Sequence, residues 1–285
     1  MAERSDPRGK TAPKVPNPAS ATAPRRSVHD DVMAALRTLG LTLTAAALDA
    51  ALQAAERESL SHLEFLHRLL SEPAEARRQR ALERRIRAAK FRELMTLEGF
   101  DWEFNAKGVD RRTIEQLVTC DFVRRRENVI LVGPTGLGKS RILQSAGHAA
   151  CLLGYRVRYA TSAKLLQEFT AALADGSFAA MLEDYARIDL LLIDEFGFDH
   201  LERAAQPQSS SFYYRLLDAR MGRRSTALAT NMDFGAWADY LGDPLLATAF
   251  LDRLVDGAVI VKLSGRSYRA HRARPMPQAS RADRS

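Results

Sequence analysis

The chain has 285 residues, 46% of them apolar, which is enough for one or two domains with a real core. Its two cysteines, Cys120 and Cys151, form neither a disulfide framework nor metal-ligand spacing, and His29, His62, His67, His148, His200 and His271 are scattered along the chain, so no metal site is assigned to them. The formal net charge of +7 suits a polyanionic partner, nucleic acid before membrane. No apolar run approaches a membrane span and Met1 to Asp6 lack the apolar stretch of a signal peptide, so a cytoplasmic protein is expected.

Residues 1–27 are rich in Pro, Ala, Ser and basic side chains and are expected to form a disordered basic arm. Helical spacing begins at Val28. Val32, Leu36 and Leu39 fall on one face, Gly40 can end that helix, and Thr44 to Ala55 reads as a second. Ser61 and Glu64 have capping-box spacing before Phe65-Leu66 and Leu69-Leu70, and Pro73 is expected at a break or in a first helical turn.

A basic helix is predicted over Arg77 to Arg92. Leu82, Ile86 and Ala89 share one face, and Arg77, Arg78, Arg80, Arg84, Arg85, Arg87, Lys90 and Arg92 crowd the rest. Glu83 and Glu93 offset little of this, and so strong a sign bias suits DNA phosphates better than a mixed salt-bridged surface. Phe100, Trp102 and Phe104 alternate between Gly99 and Gly108, as in a short linker strand, and residues 28–106 are expected to make a small all-helical domain with that linker at its end. Val109 to Arg126 reads as one helix, whose final Arg124-Arg125-Arg126 meets the negative end of the helix dipole.

The most informative run follows. Gly133-Pro134-Thr135-Gly136-Leu137-Gly138-Lys139-Ser140 has the form of a phosphate-binding loop. The apolar Asn128 to Val132 before it reads as a buried parallel strand, and Ser140 to Leu153 after it as a helix. Glycines let the backbone N–H groups turn inward on a phosphate chain, and the helix start adds partial positive charge. Lys139 would reach the β- and γ-phosphates, Ser140 would hold Mg²⁺, and Arg141 at the helix start counts among the nucleotide-binding residues.

Strand-like and helical runs then alternate. Strands are expected at Arg156 to Ala160, Ile188 to Ile193, Ser225 to Thr230 and Ala258 to Leu263, with helices at Ser162 to Leu173, Ser211 to Arg220 and Leu245 to Leu254. That order implies an α/β protein, a mainly parallel sheet covered by helices on both faces, with ligands at the carboxyl ends of the strands. Asp194 stands at such an end as a Mg²⁺-ligating carboxylate should, and Glu195 is the natural group to polarise an attacking water. Asn231, closing another strand, could orient that water or report the γ-phosphate. Arg253, Arg266 and Arg269 are candidates for phosphate contact that spacing alone does not separate from surface arginines.

Together these residues resemble the IstB-like ATPases, transposition helpers of insertion sequences that are close to the DnaC helicase loaders and belong to the AAA+ class. Residues 30–272 carry the resemblance. It is clearest in Thr96-Leu97-Glu98-Gly99-Phe100-Asp101, Asn128 to Ser140, Leu191 to Gly197, Ala229 to Trp237, Leu251-Asp252-Arg253-Leu254 and Ser267-Tyr268-Arg269. The resemblance implies an ATPase domain over 107–272, with 273–285 a disordered tail. It implies ATP and Mg²⁺ as cofactors, and an ATP-dependent homo-oligomer on duplex DNA that works with a transposase. It gives Asn231 the place of the first sensor, Arg253 that of an arginine finger acting on a neighbour's ATP, and Arg269, or else Arg266, that of the second sensor. Arg266 stands where the family commonly has an acidic residue. Two other readings stay open: a replicative helicase loader, and a nucleotide-gated scaffold with little turnover.

Overall fold

A computed structural model describes residues 27–206 and 208–272. The basic arm (apart from Ser27) and the tail expected at 273–285 lie outside the described residues. The chain divides into two compact units between Arg77 and Arg78. Residues 78–106, expected with the N-terminal helices, therefore belong to the unit that contains the sheet. No helix among the described residues is long and apolar enough to cross a membrane.

The first unit is helical. Ser27 and Asp30 form a reciprocal capping box on Val28–Thr38, and Thr44 caps Ala45–Glu58, whose end three residues beyond the expected one is set by Ser59 in a left-handed conformation, φ 49°. Ser61 and Glu64 make the expected box, with Ser61 N–H donating to the Glu64 carboxylate at 2.9 Å and Glu64 N–H to Ser61 Oγ at 3.3 Å. The helix it starts runs from His62 to Ala89 without a break. Pro73 lies inside it, contrary to expectation; the ring forfeits one backbone hydrogen bond, but Pro73 and Leu69 are both buried on the same face. Lys90, at φ 56°, ends the helix before the expected Arg92.

In the second unit, Val109 to Arg126 is two helices rather than one. Asp110 caps Arg111–Val118, accepting from the N–H groups of Arg112 and Thr113, and Cys120 at φ 59° separates it from Asp121–Arg125. The expected linker strand at Gly99 to Gly108 is instead a series of turns. Gly99 is left-handed, φ 65°, Asp101 accepts from Phe104 N–H, and the aromatic residues pack outside any sheet, Phe100 on Trp102 with centroids 4.6 Å apart.

Five parallel strands, β1 (Val129–Val132), β2 (Val157–Thr161), β3 (Leu190–Phe196), β4 (Ser225–Thr230) and β5 (Val259–Lys262), lie in the order β2-β3-β4-β1-β5. Successive side chains face opposite ways. Val129, Leu131, Leu190, Leu192, Ala227 and Ala229 enter one core, and Ile130, Val132, Leu191, Ile193 and Leu228 the other. Burial on both faces is why these strands read as unbroken apolar runs. Each fully buried Leu or Ile adds about 1.5–3 kcal/mol. Leu82, Ile86 and Ala89 pack their shared face on the first of these cores, as their spacing predicts. In Lys139–Leu152, Gly147 allows close approach to the sheet, since a Cβ there would lie 2.4 Å from Leu192. Two helices that the sequence reading missed, Phe178–Arg187 and Trp237–Leu241, cover the second core with Phe178, Tyr185, Trp237 and Tyr240.

Because all five strands are parallel, their carboxyl ends lie along one edge. Asp194 is inside β3, register-paired with Thr161 of β2, and a register shift between Ile193 and Phe196 in the β3–β4 pairing falls where Asp194 and Glu195 stand. Asn231 follows β4 directly and the phosphate-loop sequence follows β1 directly.

Candidate nucleotide site

The carboxyl edge of the sheet opens into a cleft of about 530 Å³. Residues 135–141, Asp194, Glu195, Asn231 and Arg269 all line it, although they are drawn from the ends of different strands and from the last helix. Met95, Phe100, Phe104, Val109 and Tyr268 add an apolar wall.

The loop has the form its glycines dictate. Gly136 and Gly138 are left-handed, φ 82° and 86°, a region that costs a side chain strain. A Cβ on Gly136 would lie 2.1 Å from Ser267 Oγ, and one on Gly138 2.8 Å from Phe100. Lys139 curls back on the loop, its Nζ donating to the carbonyls of Gly133 at 2.6 Å and Pro134 at 2.7 Å. Burial holds the Lys139 ammonium below the usual lysine range; Asp194 opposes that shift and Arg269 adds to it.

Ser140 Oγ donates to Asp194 Oδ1 at 3.1 Å, and Glu195 N–H donates to the same oxygen at 2.9 Å. Tyr159, on β2, donates its hydroxyl to Asp194 Oδ2 at 3.0 Å. Burial, with Asp194 next to it, pushes the Tyr159 phenol above its ordinary range, so it acts as a fixed donor. A hydroxyl and a buried carboxylate in contact at the start of the helix are the donor set expected of a Mg²⁺ site beside phosphates. Glu195 adopts φ 55°, uncommon for a residue with a side chain, and its carboxylate accepts from Arg92 at 3.1 Å.

Three predicted residues behave differently from the rest. The Arg141 guanidinium donates to the carbonyls of Thr96 at 2.8 Å, Glu98, and Gly99 at 3.5 Å, and so fastens the 96–99 segment rather than extending freely toward a phosphate. Arg253 does not line the cleft. Its guanidinium donates to Asp218 at 2.9 Å, to the Tyr214 hydroxyl at 2.8 Å and to the Ala249 carbonyl at 3.1 Å. Arg266 stacks over Phe104, 5.0 Å from its centroid, leaving Arg269 as the one of the two that faces the cleft. Arg272 also lines it and was not anticipated from spacing.

Of the predicted DNA-binding set, Arg77, Arg78, Arg80, Arg84, Arg87 and Lys90 are exposed, whereas Arg85 is half-buried beside Gly154. Sequence reasoning also missed Asp199. Its fully buried carboxylate accepts from Ser162, from Tyr213 at 2.8 Å and from Tyr240, fastening the chain just beyond Glu195 to three other elements. Nothing in the linear pattern marks it, because its donors are 37, 14 and 41 residues away.

A strand, a glycine-turned loop and a helix starting at Lys139, facing a buried Asp194 on β3, the strand beyond β4 in the sheet, define a phosphate-loop nucleotide-binding protein. The chain belongs to the IstB-like ATP binding protein family, which matches residues 34–275. It is 33% identical over 222 residues to a protein named for ATP binding in insertion sequence IS21 of Pseudomonas aeruginosa, covering 78% of this chain and 82% of that one. A further insertion-sequence protein named for ATP binding, from Sinorhizobium fredii, is 34% identical over 239 residues, covering 84% and 96%. Among solved structures the chain is similar to the replication initiator DnaA bound to AMPPCP and single-stranded DNA (21% identity, 62% and 52% of the two chains, TM-score 0.49) and to DnaI (18%, 60% and 91%, TM-score 0.48).

Proposed function

We propose that this protein hydrolyses ATP with Mg²⁺ and uses the cycle to control its own oligomerisation on duplex DNA, in the service of a transposase. The observation that supports this most is the gathering of the loop, Asp194, Glu195, Asn231 and Arg269 around one cleft. The insertion-sequence names of its relatives favour transposition over helicase loading.

Each side chain has a part. The loop N–H groups and Lys139 bind and orient the phosphate chain, Lys139 exchanging its contacts with the Gly133 and Pro134 carbonyls for phosphate oxygens. Ser140 and Asp194 would hold Mg²⁺, which offsets phosphate charge when bound. Tyr159 fixes the Asp194 carboxylate. Glu195 takes the proton of the attacking water, and Asn231 orients that water. Arg269 approaches the phosphates from the same chain, whereas Arg253, turned away from its own cleft, serves the ATP of a neighbouring subunit. The exposed basic residues of 77–90 supply sequence-independent phosphate contacts.

Binding to duplex and single-stranded DNA with ATP, with ADP and without nucleotide tests this reading, together with ATP turnover of Glu195→Gln. Cooperative duplex binding that needs ATP, and a variant that binds ATP but hardly hydrolyses it, are expected. Preference for single strands would favour helicase loading, and unchanged turnover would remove Glu195 from the mechanism.

A further inference from the structure

The segment between the basic helix and the apolar wall of the cleft ends at the group proposed as the base. Lys90 stops the helix with φ 56°, and the next three residues are docked. Phe91 packs on the core, its ring 6.4 Å from that of Tyr159 and close against Gly147. Glu93 N–H donates to the side chain of buried Gln144 at 3.2 Å. Between these two anchors Arg92 projects outward and donates to Glu195 Oε1 at 3.1 Å. The contact joins residues 103 positions apart, with side-chain exposures of 63% and 46%.

From this geometry we infer that Arg92 is a positioning residue that restrains Glu195 and releases it when DNA phosphates engage the basic run ending at Lys90. The inference rests on the proposed role of Glu195. A guanidinium on Oε1 takes up one of the acceptor sites of the carboxylate and tethers it toward the 90–93 segment, away from free placement over a water. The left-handed backbone at Glu195, together with its N–H bond to Asp194, fixes where the side chain starts, so the tether to Arg92 bears on where it ends.

Exposure decides how such a tether can work. A buried pair would be permanent, but a pair this open is weak and exchangeable. Phosphate oxygens compete well for arginine because they match its planar fork. Arg92 lies two residues beyond Lys90, so a duplex lying along Arg84, Arg87 and Lys90 brings phosphates into its neighbourhood. Exchange of Glu195 for a phosphate would leave the base free only when DNA is present. Hydrolysis would thereby be coupled to DNA occupancy through one side chain.

The test is steady-state ATP turnover by the full chain, with and without saturating duplex DNA, for the wild type, Arg92→Gln and Arg92→Lys. Fluorescent ATP-analogue binding and melting curves accompany it. Arg92→Gln is expected to raise DNA-free turnover about fivefold, the scale of one exposed ion pair, and to lose most of the stimulation by DNA. Arg92→Lys, which keeps a charge but not the fork, should fall between. Nucleotide affinity should stay within about twofold, because Arg92 touches no phosphate-binding group. DNA-free turnover that is unchanged or lowered in a folded Arg92→Gln, with stimulation intact, overturns the inference alone. If Arg92→Gln does not fold, the same comparison is made on Arg92→Lys. A wild type that never hydrolyses ATP, or a Glu195→Gln variant that turns over normally, overturns the proposed role of Glu195 and this inference with it.

Discussion

The Tyr159 hydroxyl donates to Oδ2 of Asp194 at 3.0 Å across two paired strands, while Ser140 and the Glu195 N–H converge on Oδ1. The acid at the centre of the cleft is therefore held from both sides before any ligand arrives. Removing the hydroxyl in Tyr159→Phe should cost about 1.5 kcal/mol, as for a hydrogen bond to a charged group, and raise the Mg²⁺ concentration needed for half-maximal turnover. Chemical denaturation and a Mg²⁺ titration of ATPase activity would show both.

Asp199 is the second buried carboxylate near the cleft, and its three donors are all hydroxyls. Burial and the neighbouring carboxylate raise the phenols of Tyr213 and Tyr240 above their ordinary range, so both remain donors at working pH. Asp199→Ala would strand several buried hydroxyls at once. A loss of about 3 kcal/mol or more is expected in urea unfolding, because each unsatisfied group carries its own desolvation cost.

Lys139 sets a pH dependence. Burial depresses its basicity in the free protein, and bound phosphates would favour its charged form. ATP affinity should therefore fall as pH rises through the lowered Lys139 value, earlier than for a solvent-exposed lysine. Binding at alkaline pH should take up a proton, which calorimetry in two buffers of different ionisation enthalpy detects. For folding the sign is opposite: the unfolded chain holds this proton to higher pH, so discharge of Lys139 adds to stability as pH rises.

Arg253 is anchored by Asp218 and Tyr214, outside its own cleft. Arg253→Ala should leave ATP binding near the wild-type level while turnover drops by about 10³-fold, the scale of an arginine finger. Wild-type specific activity should rise with protein concentration. Activity independent of concentration, with Arg253→Ala fully active, would remove the neighbour from the site.

Arg84 and Arg87 are exposed on the basic helix. If they neutralise phosphates, the double alanine variant should weaken duplex binding on every sequence and reduce the slope of log affinity against log salt by about two. An unchanged slope would place the DNA contact elsewhere.

The phosphate loop was legible because it is local: the strand, the glycines and the helix start lie within 12 residues of Asn128. The strands were legible because burial on both faces leaves continuous apolar runs, as at Leu190 to Ile193. Local rules misled where a neighbour overrode them. Pro73 reads as a break yet is buried within a helix, and the alternating aromatics at 100–104 found no strand to pair with.

What the sequence by itself determined is the chemistry available, since the loop, Asp194-Glu195 and Asn231 can be recognised from residue type and strand position. Only the tertiary structure decided which distant groups act on them. Arg269 rather than Arg266 faces the cleft, Tyr159 grips Asp194, Asp199 collects three hydroxyls, and Arg92 reaches Glu195. Contacts between residues 35 or 103 positions apart follow from strand order and helix docking, which leave no periodic trace along the chain.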